Sequence, residues 1–249
     1  MSKLKTAVIG VGYLGKFHAD KYAALKNAKL VAVVDANAET AKAVADKHDV
    51  KALTDYHELL GKVDAVSIAA PTTLHHQIAR DFLEHNCHVL IEKPITITVD
   101  EADDLIELAL ANDLLIQVGH LERFNAALIN LGDTLQTPTF IESHRLAPFN
   151  PRATDVNVVL DLMIHDIDII LNIVKSDIKD MRVSGTPVLT TSTDIANARL
   201  EFENGCVANV TASRVSAKTE RKMRIFQHDA YISVDFHNRV LNIYKKGDR

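Results

Sequence analysis

Up to about residue 118 the chain alternates short, wholly apolar runs with longer stretches of mixed polarity. Beyond that point strand-like segments dominate. Thr6-Ala7-Val8-Ile9, Leu30–Val34, Ala65–Ala70, His88–Ile91 and Leu114–Val118 are the apolar runs, as expected for strands covered on both faces. Between them Lys16–Leu25, Ala38–His48, Asp55–Leu60, Leu74–His85 (capped by Thr72 or Thr73) and a segment opened by Thr98 and running to Ala111 predict helices. Strands alternating with helices predict a doubly wound parallel sheet. The second half predicts strands at Thr139–Leu146, Met181–Pro187, Ile195–Glu203, Cys206–Val215, Arg221–Gln227, Tyr231–Phe236 and Val240–Tyr244, with Asn204-Gly205 as a hairpin turn. A long apolar helix from about Asp155 to Val174 covers that sheet. The expected fold class is α/β, with an N-terminal Rossmann-type doubly wound domain over 1–120. An α+β domain with an open, largely antiparallel sheet follows over 121–249.

Gly10-Val11-Gly12-Tyr13-Leu14-Gly15 is a GxGxxG joining the first strand to the first helix. Gly10 permits the tight turn, Gly12 lets backbone approach a pyrophosphate, and Gly15 lets helix and strand pack closely. The helix N-terminus then offers N–H groups and a positive dipole end to the phosphates. The second strand ends in Asp35, about where an acid meets the ribose hydroxyls, roughly 20 residues on. Ala36 and Asn37 follow it with no adjacent arginine, which favours NAD over NADP.

Two further segments carry chemistry. Glu92-Lys93-Pro94 closes a parallel strand, at the end of the sheet where ligands of such folds bind. Pro94 disfavours helical geometry at Lys93 and holds it extended; a surface salt bridge is the ordinary alternative for any Glu-Lys pair. In the long helix Asn157, Asp161, His165, Asp168 and Asn172 recur at steps of four, four, three and four and form one stripe, with Asp166 off it. Ionisable groups on an otherwise apolar helix need partners or a ligand. The competing reading is a structural or solvent-facing polar stripe.

Composition narrows the class. With 249 residues, 47% hydrophobic and 24% charged, the chain has ample core for one large or two modest domains. A net charge of −5 without a basic block argues against nucleic-acid or membrane-surface binding. Cys87 and Cys206 form no CxxC, and His85 and His88 around Cys87 sit on different elements, so no metal site is expected. The residues before Thr6 leave no room for a cleaved signal, and no run of about 18 uncharged apolar residues exists. A cytoplasmic protein is expected. The chain ends just after a strand, which suggests a shortened C-terminus.

GVGYLG, the Ala70-Pro71-Thr72-Thr73-Leu74-His75 loop, EKP and Asp161-x-x-x-His165 occur in that order. Together they resemble the glucose–fructose oxidoreductase / inositol dehydrogenase family, often written Gfo/Idh/MocA, along essentially the whole chain. The resemblance implies an NAD-dependent sugar dehydrogenase whose Lys93, Asp161 and His165 surround the substrate carbinol. It also implies homo-oligomers, dimers or tetramers, formed through the C-terminal sheet. Gly10, Gly12, Tyr13, Leu14, Gly15, Asp35, Ala70, Pro71, His75, Glu92 and Lys93 would hold the cofactor, with His75 near the nicotinamide ribose. Lys93, His120, Arg123, Asn125, Arg152, Asp161 and His165 would meet the substrate. The stretches 118–125 and 155–168 are most similar to members acting on C3 of UDP-linked N-acetylamino sugars. An inositol or free-sugar dehydrogenase and a non-catalytic NAD-binding sensor remain as alternatives. A histidine titrating near neutrality suits removal of the hydroxyl proton, with Lys93 stabilising alkoxide charge. From the residues alone the two roles are exchangeable. Arg123 can equally be a packing ion pair, and Arg145, on a strand, can face solvent.

Overall fold

The computed structural model describes residues 3–151 and 156–247, which divide into two compact units, Met1–Gly119 and His120–Arg249. The first unit contains β1 (Leu4–Ile9), α1 (Gly15–Ala24), β2 (Ala28–Val34), α2 (Ala38–His48), β3 (Lys51–Leu53) and β4 (Ala65–Ile68). It continues with α3 (His75–Glu84), β5 (His88–Ile91), α4 (Val99–Ala111) and β6 (Ile116–Val118). The strands form one six-stranded sheet in the order β3-β2-β1-β4-β5-β6, every pair parallel. The order reverses at β1, which puts the topological switch point at the carboxyl ends of β1 and β4. Ala7, Val8, Val33, Val66, Ile68 and Ile91 are fully or almost fully buried, as strands with helices on both faces require.

Local rules hold at most ends. Asn37 caps α2 by accepting from the N–H groups of Glu39 and Thr40. Thr98 and Glu101 form a reciprocal capping box at the start of α4. The threonine cap expected for α3 does not form: Thr72–Leu74 is a 3₁₀ turn, and α3 starts at His75 without a side-chain cap. The edge strand β3 has no counterpart in the sequence reading, because Lys51-Ala52-Leu53 is short and half polar.

The second unit opens with a 3₁₀ turn (Leu121–Phe124), α5 (Ala126–Ile129) and a second 3₁₀ turn (Gly132–Thr134), none of them foreseen. Next come β7 (Pro138–Leu146), a π turn (Val159–Met163) running into α6 (Ile164–Val174), and then strands β8 (Ile178–Thr186), β9 (Ile195–Phe202), β10 (Val207–Ser213), β11 (Glu220–Gln227), β12 (Ala230–Asp235) and β13 (Val240–Lys245). The seven strands lie in the order β13-β12-β11-β7-β10-β9-β8, antiparallel except for the β7–β10 pair. One face carries the core, in which Ile141, Ile169, Ile170, Val210, Met223 and Ile232 have no exposed surface. The described part of the long helix starts later than expected and opens as a π turn, a feature frequent at functional sites. No described helix is long and apolar enough to cross a membrane.

Candidate functional site

In the first unit a cleft of about 530 Å³ lies at the carboxyl ends of the central strands, lined by Gly10, Gly12, Asp35, Ala70, Pro71 and Leu74 among others. The glycines differ in what constrains them. A Cβ on Gly15 would sit 1.8 Å from the Gly10 carbonyl oxygen, so α1 and β1 touch backbone to backbone there. Gly10 has φ of +80°, and its missing Cβ faces the Ala70 amide at 2.7 Å. At Gly12 nothing lies within 4 Å. Only the middle glycine opens onto free space, which is the cradle a pyrophosphate needs. No side chain caps α1, so none competes with an anion at its N-terminus.

Asp35 is fixed by the loops around it. Its carboxylate accepts from the N–H groups of Val11, at 2.9 Å, and Asn37, at 2.9 Å, which stiffens the turn while its other lone pairs face the cleft. These features fit a bound dinucleotide. Tyr13, beside the middle glycine, is 78% exposed and stacks edge-on with Phe17, with the Lys16 ammonium 5.3 Å from its ring, and Leu14 is 40% exposed.

Glu92 and Lys93 close β5 as expected, and the Lys93–Pro94 peptide is cis. The Glu92 side chain is buried and accepts from His18 Nε2 at 2.9 Å. His18 Nδ1 contacts Ser67 Oγ at 3.0 Å, and the Ser67 hydroxyl donates to Tyr22. This chain ties α1 to β4 and β5. Gly119 permits it, since a Cβ there would lie 3.0 Å from the Glu92 carboxylate. A surface salt bridge at Glu92 is thereby excluded.

His75 departs from its expected position beside a ribose. It is 1% exposed, and both ring nitrogens face backbone carbonyls, Nδ1 at 2.9 Å from Pro94 O and Nε2 at 2.9 Å from Ala70 O. Its neighbour His76 pairs with Asp104, which also receives Arg80.

In the second unit Asp161 lies in the π turn and His165 in the first turn of α6, both half-buried. Asn157 accepts from the Val159 and Leu160 N–H groups and so acts as the cap of the turn that carries Asp161. Two arginines hold the rest of the helix. Arg145, 2% exposed, donates Nε and a terminal nitrogen to Asp166, 1% exposed, at 2.9 and 3.1 Å. It also stacks on Phe236. Burial alone would lower the guanidinium's pKa, but the Asp166 carboxylate more than offsets that and raises it. Arg145 therefore does not face solvent. Ile141, Ser143 and Arg145 are buried along one face of β7, and that period of two was the signal available in the sequence.

Arg123 donates bidentately to Asp168, 2.7 Å from Nε, and His120 Nδ1 lies 3.8 Å from the same carboxylate. The packing ion pair is thus the observed state of Arg123. Asn125 caps α5 by accepting from the Ala127 N–H and donates to Phe236 O, so its amide is engaged with the scaffold. Arg152 and Asp155 lie outside the described residues.

Asp194 and Arg214, unmarked in the sequence, form a second buried pair. Asp194 accepts the N–H groups of Val188, Leu189 and Thr190 as well as Arg214 Nε. Arg214 also donates to Val156 O, and the Val158 N–H bonds to Thr193 O, so this loop anchors the start of the π turn. Burial alone would raise the Asp194 carboxyl, but these N–H groups and the guanidinium outweigh it and hold it well below the carboxylate range. Cys87 and Cys206 are free and buried; burial pushes Cys87 up to about 12, far from a reactive thiolate. Among the described residues no group of three or more His, Cys, Asp or Glu is placed to hold a metal ion.

Comparison with known proteins agrees with this layout. Residues 4–120 match the family described as "Oxidoreductase family, NAD-binding Rossmann fold", and residues 131–233 match the GFO/IDH/MocA C-terminal domain. The chain is 44% identical over 248 residues to UDP-N-acetylglucosamine 3-dehydrogenase of Acidithiobacillus ferrooxidans, spanning 99% of this chain and 79% of that protein. A solved structure of that dehydrogenase superposes with a TM-score of 0.92 at 43% identity, covering 100% of this chain and 82% of that one. Myo-inositol 2-dehydrogenase of Thermotoga maritima is 25% identical, over 85% of this chain and 69% of its own length. The apo scyllo-inositol dehydrogenase of Lactobacillus casei shares the fold, with a TM-score of 0.80 at 23% identity over 94% of this chain and 75% of its own.

Proposed function

We propose, from the premise that this chain belongs to the GFO/IDH/MocA family of NAD-binding oxidoreductases, that it oxidises the C3 hydroxyl of a UDP-linked N-acetylamino sugar. The observation that carries this reading is near-full-length identity of 44% to a UDP-N-acetylglucosamine 3-dehydrogenase, against 25% to an inositol dehydrogenase. NAD, when bound, supplies the hydride acceptor. Gly12 and the first turn of α1 would hold its pyrophosphate, and Asp35 would accept from its ribose hydroxyls.

Oxidation of a secondary alcohol removes the carbinol hydrogen as hydride and the hydroxyl hydrogen as a proton. His165 takes that proton on an imidazole nitrogen. Asp161, four residues earlier, steadies the imidazolium that results. The Lys93 ammonium donates to the oxygen as negative charge develops on it, an interaction stronger in the transition state than in the ground state. His120 is assigned to the sugar, with Arg123 held beside it through the carboxylate of Asp168 that both face, and Arg152 to the diphosphate.

Assembly is assigned to the second sheet, where Phe140, Phe226, Tyr231 and Tyr244 form a ladder across β7, β11, β12 and β13 with Tyr244 60% exposed. An open aromatic face of this kind supports pairing of copies of the chain.

The test is NADH formation with UDP-N-acetylglucosamine, myo-inositol and free hexoses, each with and without UDP. Turnover of the nucleotide sugar, inhibited competitively by UDP, is expected. Turnover of inositol or hexose with indifference to UDP would replace the substrate assignment, and NAD binding without turnover of any of them would favour a sensor.

A further inference from the structure

We propose that His75 is a positioning residue that ties the wall of the dinucleotide cleft to the turn carrying Lys93. The proposal rests on the reading that Lys93 acts on the substrate. The ring is buried at the start of α3, and each nitrogen meets one carbonyl: Pro94 O, one residue beyond Lys93, and Ala70 O, at the cleft wall. Ala70 is also the residue whose amide lies against Gly10, the first glycine of the phosphate turn. One imidazole therefore spans the two loops that follow β4 and β5. A neutral ring carries a single N–H and donates to one carbonyl; the protonated ring donates to both.

The two contacts can be separated chemically. The amide nitrogen of asparagine falls near the position of Nδ1, and that of glutamine near Nε2. His75→Asn keeps a donor toward Pro94 O and loses the one toward Ala70 O, whereas His75→Gln does the reverse. Steady-state kinetics with NAD and UDP-N-acetylglucosamine are expected to split accordingly. His75→Asn raises KM for NAD about tenfold with kcat little changed, and His75→Gln lowers kcat about tenfold with KM for NAD little changed. A side chain that only filled space would move both constants together in both variants. That result, or no change in either variant, overturns the proposal.

A second measurement needs no substitution. In nitrogen-15 spectra of the unaltered protein, at least one His75 ring N–H is protected from exchange, and absence of any protected ring proton also overturns the proposal. Lys93→Met is run in parallel. Near-normal turnover in that variant refutes the catalytic reading of Lys93, while the tie itself is then judged from KM for NAD and the ring proton.

Discussion

In the Gly10–Gly15 turn, position is set by what is missing; in the helix Ile164–Val174 it is set by what is gripped. The turn works because two Cβ atoms are absent where backbones touch and a third is absent where space is left open. The helix packs Ile169 and Ile170 into the core and is fixed in register by charge, with Asp166 clasped by buried Arg145 and Asp168 by half-exposed Arg123. The difference teaches which perturbations each region tolerates. Steric contact between backbones leaves no room to adjust, whereas ion pairs respond to which partner is removed and how deeply it is buried.

The sharpest way to break the comparison is within the glycines. Gly15→Ala forces a Cβ into the Gly10 carbonyl and shifts α1 against β1, beyond the ordinary overpacking penalty of about 1–3 kcal/mol. Calorimetry should show a first unit that melts far lower and binds no dinucleotide. Gly12→Ala meets nothing, so it should leave the melting temperature unchanged while weakening NAD binding by about tenfold or more, as titration calorimetry would show. Equal effects on stability at both positions would contradict the account.

Next comes the buried pair. Asp166→Asn leaves the buried Arg145 guanidinium with only Glu122, 3.8 Å away, as counter-charge and should lower unfolding stability by about 3 kcal/mol in denaturant titration. Replacing both residues by apolar groups of similar size should recover much of that loss, because no orphaned charge remains. Acid supplies a gentler perturbation. Asp194 is held below its unfolded value, so its contribution is complete above the unfolded carboxylate pKa of about 3.9 and is lost as pH falls below it. Relative to Asp194→Asn, the unaltered protein should lose stability more steeply in that range. The smallest effect is expected at Arg123→Ala: the arginine is half-exposed, but its partner Asp168 is only 9% exposed and loses a bidentate donor, so the loss should be about 1–2 kcal/mol and shrink with added salt.

The sequence was most legible where a rule of local geometry applied. The glycine spacing, the acid closing β2, the Thr98 start of α4 and the apolar strands of the first unit all follow from short-range sterics and burial, whereas the threonine cap expected for α3 does not form. The strands β7 to β13 were legible for the same reason, with their ends displaced by at most three residues. Other features were not, and three of them show the physical reason most clearly. Arg145 reads as a polar residue on a strand unless its phase with Ile141 and Ser143 is followed, and its partner Asp166 stood out only as the residue that broke the stripe. The π turn at Val159–Met163 has no signature in a run of Val, Leu, Asp and Met. The role of His75 depends on two carbonyls, Ala70 O and Pro94 O, whose directions are set by separate strands. Side chains that satisfy backbone groups across loops leave no periodic trace.

The most direct test of the account is turnover of UDP-N-acetylglucosamine with NAD in Lys93→Met and His165→Ala, with NAD affinity measured on the same preparations. The account predicts a fall in kcat of about a hundredfold or more in each variant, with NAD affinity in His165→Ala unchanged. Turnover near that of the unaltered protein in both would contradict it.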